Sequence, residues 1–176
     1  MTSPWLIPLA VVRQTDVARV GGKAATLGEL HQAGFPIPAG LCITTAVFQL
    51  ALADRQPRIQ HLLQSADLRN PATAQRLAAT IAELLVDLTL PAALAEPLPI
   101  ALSQLADPLT PLAIRSSATG EDGAVVSYAG QYATRLGVRG LPAVQAAILA
   151  GWRAFFSANA LAARAAHGVL AQGEGM

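Results

Sequence analysis

The longest uncharged stretch of the chain runs from His31 to Ala53 and is broken by Gly34, Pro36, Pro38 and Gly40. Its length raises the question of a membrane-spanning helix. The breakers exclude one, because only 13 residues follow Gly40, fewer than the roughly 20 a helix needs to cross a bilayer. The same residues prescribe a different local fold. Ala24–Ala33 has helical spacing, with Ala24, Leu27, Leu30 and His31 on one face. Gly34 is its stop and Pro36 lies two residues beyond. Gly40–Thr44 (GLCIT) is short, apolar and β-branched and reads as a buried strand. Thr44 or Thr45 is placed to cap a helix running to about Asp54.

With 176 residues the chain has the size of one domain or a large piece of one. Hydrophobic residues make up 53% and charged residues 13%, enough for a sizeable core and against intrinsic disorder. Alanine supplies about a fifth of the chain and favours helices. A net charge of +1 gives no basic field for nucleic acid and no acidic tail. The lone cysteine, Cys42, excludes an internal disulfide framework, a cysteine zinc cluster and a Cys–Cys redox pair. It reads as a small, inert core residue. The first residues lack a basic region, and Pro4 and Pro8 break their apolar run. The expectation is a soluble cytoplasmic protein with neither nucleic acid nor membrane as partner.

The remaining segments read as follows. Trp5–Val12 is an edge strand or extended segment, and Asp16–Gly22 a polar loop ending in a glycine pair. Asn70 and Pro71 form a cap and first-turn pair for a helix with Leu77, Ile81, Leu84, Leu85 and Leu88 as its stripe. Pro91–Ala106 is a helix disturbed by Pro97 and Pro99, and Pro108 and Pro111 mark a linker. Leu112–Arg115 (LAIR) is a buried strand, Ser116–Ser127 a polar loop and Tyr132–Val138 a second strand. Leu141–Phe156 is an amphipathic helix with Val144, Ile148, Trp152 and Phe155 in register. A last helix spans Ala158–His167. His31, His61 and His167 lie far apart, and none has a second ligand at metal spacing.

Two segments carry residue types suited to chemistry. In Gly21-Gly22-Lys23, glycines at the mouth of a helix let backbone amides approach an anion, and the lysine adds a mobile positive charge. A flexible turn with a solvated lysine is the plainer reading, and the spacing is not that of a Walker loop. In Leu112–Gln131, Arg115 ends a strand and offers a planar fork of donors, followed by the hydroxyls of Ser116, Ser117 and Thr119. An arginine paired with Glu121 or Asp122 in an ordinary turn is the alternative.

Together, DVARVGGKAATLGELHQAGFPIPAGLCITT (residues 16–45) and AIRSSATGEDGAVVSYAGQYATRLGV (residues 113–138) resemble the N-terminal nucleotide-binding domain of the phosphoenolpyruvate synthase and pyruvate phosphate dikinase family. The resemblance implies an α/β or α+β, ATP-grasp-like nucleotide-binding domain, its N-terminal part only, with a helical middle. The expected division is a Gly-Gly-Lys lobe (5–54), a helical segment (55–108) and the Arg-Ser-Ser-Ala strand, loop and helices (109–176). The family's phosphate-binding lysine and arginine correspond to Lys23 and Arg115. Gly21, Gly22, Ser116, Ser117, Thr119 and Gln131 fall on its phosphate-facing segments. ATP is then the ligand, and its β-phosphoryl group passes to a histidine on a separate domain, in the same or a neighbouring protein. The magnesium ligands are expected outside this chain, which alone is expected to bind nucleotide weakly and turn over nothing. The same motifs are similar to those of rifampicin phosphotransferases. A non-catalytic remnant serving as a binding module is the third reading, since Gly120 and Gly123–Val126 make the loop more apolar than in relatives, and Tyr132 and Gly137 replace commoner polar residues.

Overall fold

The structure is a computed structural model that describes residues 4–119 and 134–166. Strand β1 (Leu6–Pro8) is followed by two 3-10 turns, Leu9–Val11 and Gln14–Asp16, and by helices α1 (Val17–Val20) and α2 (Gly22–Gln32). Strand β2 (Leu41–Ile43) returns antiparallel to β1, with Leu6 opposite Ile43 and Pro8 opposite Leu41. Of Trp5–Val12, expected as an edge strand or extended segment, only three residues are strand. Pro8 has no N–H to continue the ladder, and the chain turns at once into the first 3-10 segment. The expected Asp16–Gly22 loop is largely helical. The Asp16 carboxylate accepts the Arg13 N–H at 3.0 Å, and the Asp16 N–H donates to the Arg13 carbonyl at 2.9 Å, which closes the turn that starts α1. Helix α2 ends as expected before Gly34, at φ +84°.

Helix α3 (Thr45–Leu52) begins at Thr44, but neither threonine caps it with a side chain. The Thr45 hydroxyl donates instead to the Ala18 carbonyl at 3.1 Å, tying α3 to α1. Helices α4 (Gln56–Gln64) and α5 (Pro71–Leu84) follow. The Asn70 side chain accepts from the N–H groups of Ala72 and Thr73, as its position before Pro71 predicts. The segment expected as one disturbed helix divides at its prolines into α6 (Ala92–Ala95) and α7 (Leu98–Leu105). Strands β3 (Leu112–Arg115) and β4 (Thr134–Val138) form a second antiparallel pair. The strand β3 is not buried as expected: its residues alternate between half-buried and exposed, and Arg115 is on the exposed side. Helices α8 (Leu141–Ala154) and α9 (Ala158–Ala166) complete the described chain.

The fold is thus mixed helix and sheet, with the strands in two separate antiparallel pairs among the described residues. The main core gathers around Phe48. Its ring lies 5.4 Å from that of Phe155 in an edge arrangement and 5.8 Å from that of Trp152. Buried Arg164 covers the Phe155 ring at 4.0 Å and donates to the Phe155 carbonyl at 2.6 Å. Arginines also finish α5. Arg55 Nε donates to the Leu84 carbonyl at 2.9 Å and Arg153 Nε to the Leu85 carbonyl at 3.0 Å, satisfying acceptors a helix end leaves open. A second, smaller core of Leu9, Val12, Val20, Ala24, Ala25 and Cys42 sits under α2. No single helix among the described residues is long and apolar enough to cross a membrane.

Candidate nucleotide site

The two sequence segments singled out above meet in space. Gly21 stands between α1 and α2 at φ +78°, a conformation that side chains other than hydrogen rarely adopt. It also has no room for one: a Cβ there would lie 2.1 Å from the Ser117 carbonyl oxygen. Around this contact the Gly22 N–H donates to the Ala118 carbonyl at 3.2 Å, and the Ala24 N–H donates to Ser117 Oγ at 3.0 Å. Ala24 and Ser117 are 93 residues apart in sequence. The mouth of α2 is thereby fastened to the segment that leaves β3.

The consequence is that Lys23, in the first turn of α2, and Arg115, the last residue of β3, line one cleft of about 750 Å3 together with Ser116 and Ser117. Lys23 is half-buried and Arg115 exposed. The walls are otherwise mostly apolar, with Leu6, Leu9, Leu98, Leu102, Ile148 and Trp152 contributed by β1, the turn after it, α7 and α8. Cys42 is also on the wall, and burial pushes its thiol up to about 11, so it stays protonated near neutrality, in keeping with an inert residue. Among the described residues, Lys23 and Arg115 are the charged side chains on this cleft, and two positive charges on mostly apolar walls suit an anionic ligand.

The other expected residues fall differently. Gly21 and Gly22 are buried against Ser117 and Ala118 and do not line the cleft. The amides of Gly22 and Ala24, which the helix-mouth reading turned towards an anion, are engaged within the chain. Thr119 is half-buried and off the cleft wall. Gln131 and His167 lie outside the described residues, as does the Gly120–Gly123 stretch. His31 and His61 are exposed, and the described residues contain no group of three side chains able to hold a metal ion. Sequence reasoning missed Ala118, whose buried backbone carries half of the fastening, and the wall contributed by α7 and α8. The one available signal was a pair of glycines where one suffices for a turn.

Residues 17–176 match the model of the pyruvate phosphate dikinase AMP/ATP-binding domain, and the chain belongs to that family. Curated relatives agree. The chain is 34% identical over 152 residues to a protein named "Probable phosphoenolpyruvate synthase" of Methanothermobacter thermautotrophicus, covering 83% of this chain and 22% of that protein. It is 33% identical over 166 residues to the phosphoenolpyruvate synthase of Deinococcus radiodurans, covering 91% and 21% respectively. It is 32% identical over 173 residues to a rifampicin phosphotransferase of Streptomyces sviceus, covering 96% and 20%. The chain spans about a fifth of the length of these relatives.

Proposed function

We propose that the chain is the first part of an ATP-grasp-like nucleotide-binding domain in a phosphoenolpyruvate synthase-like phosphotransferase. In this reading a histidine on another domain takes the β-phosphoryl group of ATP, with AMP as the leaving group and the γ-phosphoryl group released to water as inorganic phosphate. The observation that carries the proposal is the convergence of Lys23 and Arg115, from distant parts of the sequence, on one cleft. Transfer of a phosphoryl group needs charge neutralisation and alignment more than covalent help. The Lys23 ammonium is a mobile point charge able to follow the phosphoryl group. The Arg115 guanidinium is a planar fork suited to two phosphate oxygens. Ser116, on the same cleft and next to Arg115, adds a hydroxyl donor for the phosphates. Magnesium would add positive charge at the phosphates, with ligands from outside this chain.

Lys23→Ala and Arg115→Ala in the full-length protein test the assignment. Each is expected to remove about 2.7–4 kcal/mol of transition-state stabilisation, the scale of one preorganised donor. The measurement is ATP-dependent protein phosphorylation in a single turnover. Unchanged phosphorylation in both variants overturns the assignment and favours a non-catalytic binding module. The similarity to a rifampicin phosphotransferase supports a second reading with the same ATP site and a different acceptor. Incubation of the phosphorylated protein with pyruvate or with rifampicin separates the two by which molecule gains the phosphoryl group.

A further inference from the structure

We infer that Ser117 is a positioning residue, whose hydroxyl works as an acceptor that locks the Lys23 helix to the Arg115 strand. The inference rests on the ATP reading above and adds to it a cause for the alignment of the two cations. Three contacts carry it. Ser117 Oγ accepts the Ala24 N–H at 3.0 Å, one residue from Lys23. The Ala118 carbonyl accepts the Gly22 N–H at 3.2 Å, on the other side of Lys23. The Ser117 backbone occupies the space that any side chain at Gly21 would need, at 2.1 Å from its carbonyl oxygen. Lys23 is therefore bracketed by two amides, both bonded to the residues that follow Arg115 by two and three positions.

The chemistry of this arrangement differs from that of a phosphate loop. An amide that already donates to a serine oxygen does not reach an anion as well, so α2 offers its side chain to the ligand while its backbone holds the partner strand. Lysine is long and flexible, and a fixed Cα limits how much rotamer freedom it loses on binding. Arg115 is on the exposed side of β3 and has no such support from burial. The lock supplies it through Ser117 and Ala118, two and three positions on.

Calorimetric titration of the full-length protein with magnesium-ATP, alongside amide hydrogen exchange, tests the inference. In Ser117→Ala the Ala24 amide loses its acceptor, so its exchange accelerates while the α8 amides keep theirs, which also reports that the variant folds. ATP binding weakens roughly tenfold, the scale of one lost hydrogen bond to a part-buried donor. Adding Lys23→Ala to Ser117→Ala then costs less than it does in the unaltered protein, because the lysine is already misplaced. Three results overturn the inference. One is unchanged Ala24 exchange. Another is unchanged ATP affinity in Ser117→Ala while Lys23→Ala still weakens it. The third is full additivity of the two substitutions, which would make Ser117 an independent phosphate ligand. If Lys23→Ala and Arg115→Ala both leave ATP binding intact, the ATP reading itself fails, and that outcome is distinct from the other three.

Discussion

The main core around Phe48, the body, and the smaller core under α2, the lobe, are held together by different means. The body is filled by large side chains: Phe48, Leu52, Ile81, Leu85 and Leu161 are almost wholly buried, with Trp152, Phe155 and Phe156 beside them. Apart from Leu9, the lobe is filled by small ones: Val12, Val20, Ala24, Ala25 and Cys42. Two of its glycines touch backbone from distant segments. A Cβ on Gly28 would meet the Val12 carbonyl oxygen at 2.5 Å, and one on Gly21 would meet Ser117 more closely still. In the body, stability follows from how much apolar surface is removed from water. In the lobe, geometry follows from atoms that are not there. A protein that must hold two cations in register gains from the second kind of contact, because backbone against backbone leaves little freedom to shift.

The largest stability effect should come from the body. Phe48→Ala removes the ring at the centre of the aromatic cluster, and a loss of about 3–5 kcal/mol is expected from urea denaturation. The fraction that remains folded should still bind ATP, since Phe48 does not line the cleft. Loss of binding by folded Phe48→Ala protein would erase the distinction between the two regions.

Gly21→Ala should give the opposite profile. Holding alanine at φ +78° costs about 1–3 kcal/mol, before the contact with Ser117 is counted. Its Cβ must also push the Ser117 segment away, which separates Lys23 from Arg115. ATP affinity of the folded fraction should therefore fall further in Gly21→Ala than in Phe48→Ala, whatever the order of their stabilities. Denaturation and titration on the same samples check this difference.

The two regions also differ in how far the sequence disclosed them. Elements marked by local signals were readable: the Asn70–Pro71 helix start, the stop at Gly34, the buried stripe of Val144, Ile148 and Trp152. The errors fall where a distant partner decides. Leu112–Arg115 has the apolar character of a buried strand, yet it forms part of a two-stranded ribbon with one side open. Trp5–Val12 reads as an edge strand or extended segment, yet β2 pairs with only three of its residues before the chain turns at Leu9. For the site, residue types and the resemblance singled out Lys23 and Arg115. The bond between Ala24 and Ser117 was not legible, because nothing in either segment encodes which acceptor an amide 93 residues away will find. Hydroxyl-rich loops read equally well as ligand donors and as helix caps.

The smallest effect tests the body at its edge. Asn70 Oδ1 accepts the Ala72 N–H at 3.0 Å and the Thr73 N–H at 3.4 Å on an exposed surface. Asn70→Ala should cost about 1 kcal/mol, because water replaces part of what the side chain supplied. Asn70→Asp should recover most of it, since a carboxylate accepts the same amides and favours the positive end of the helix. Neither change reaches the cleft, so ATP affinity should stay level across all three proteins. A loss in Asn70→Ala well above that figure would mean that α5 depends on its cap more than on Leu77 and Ile81, and the body would then share the lobe's reliance on single contacts.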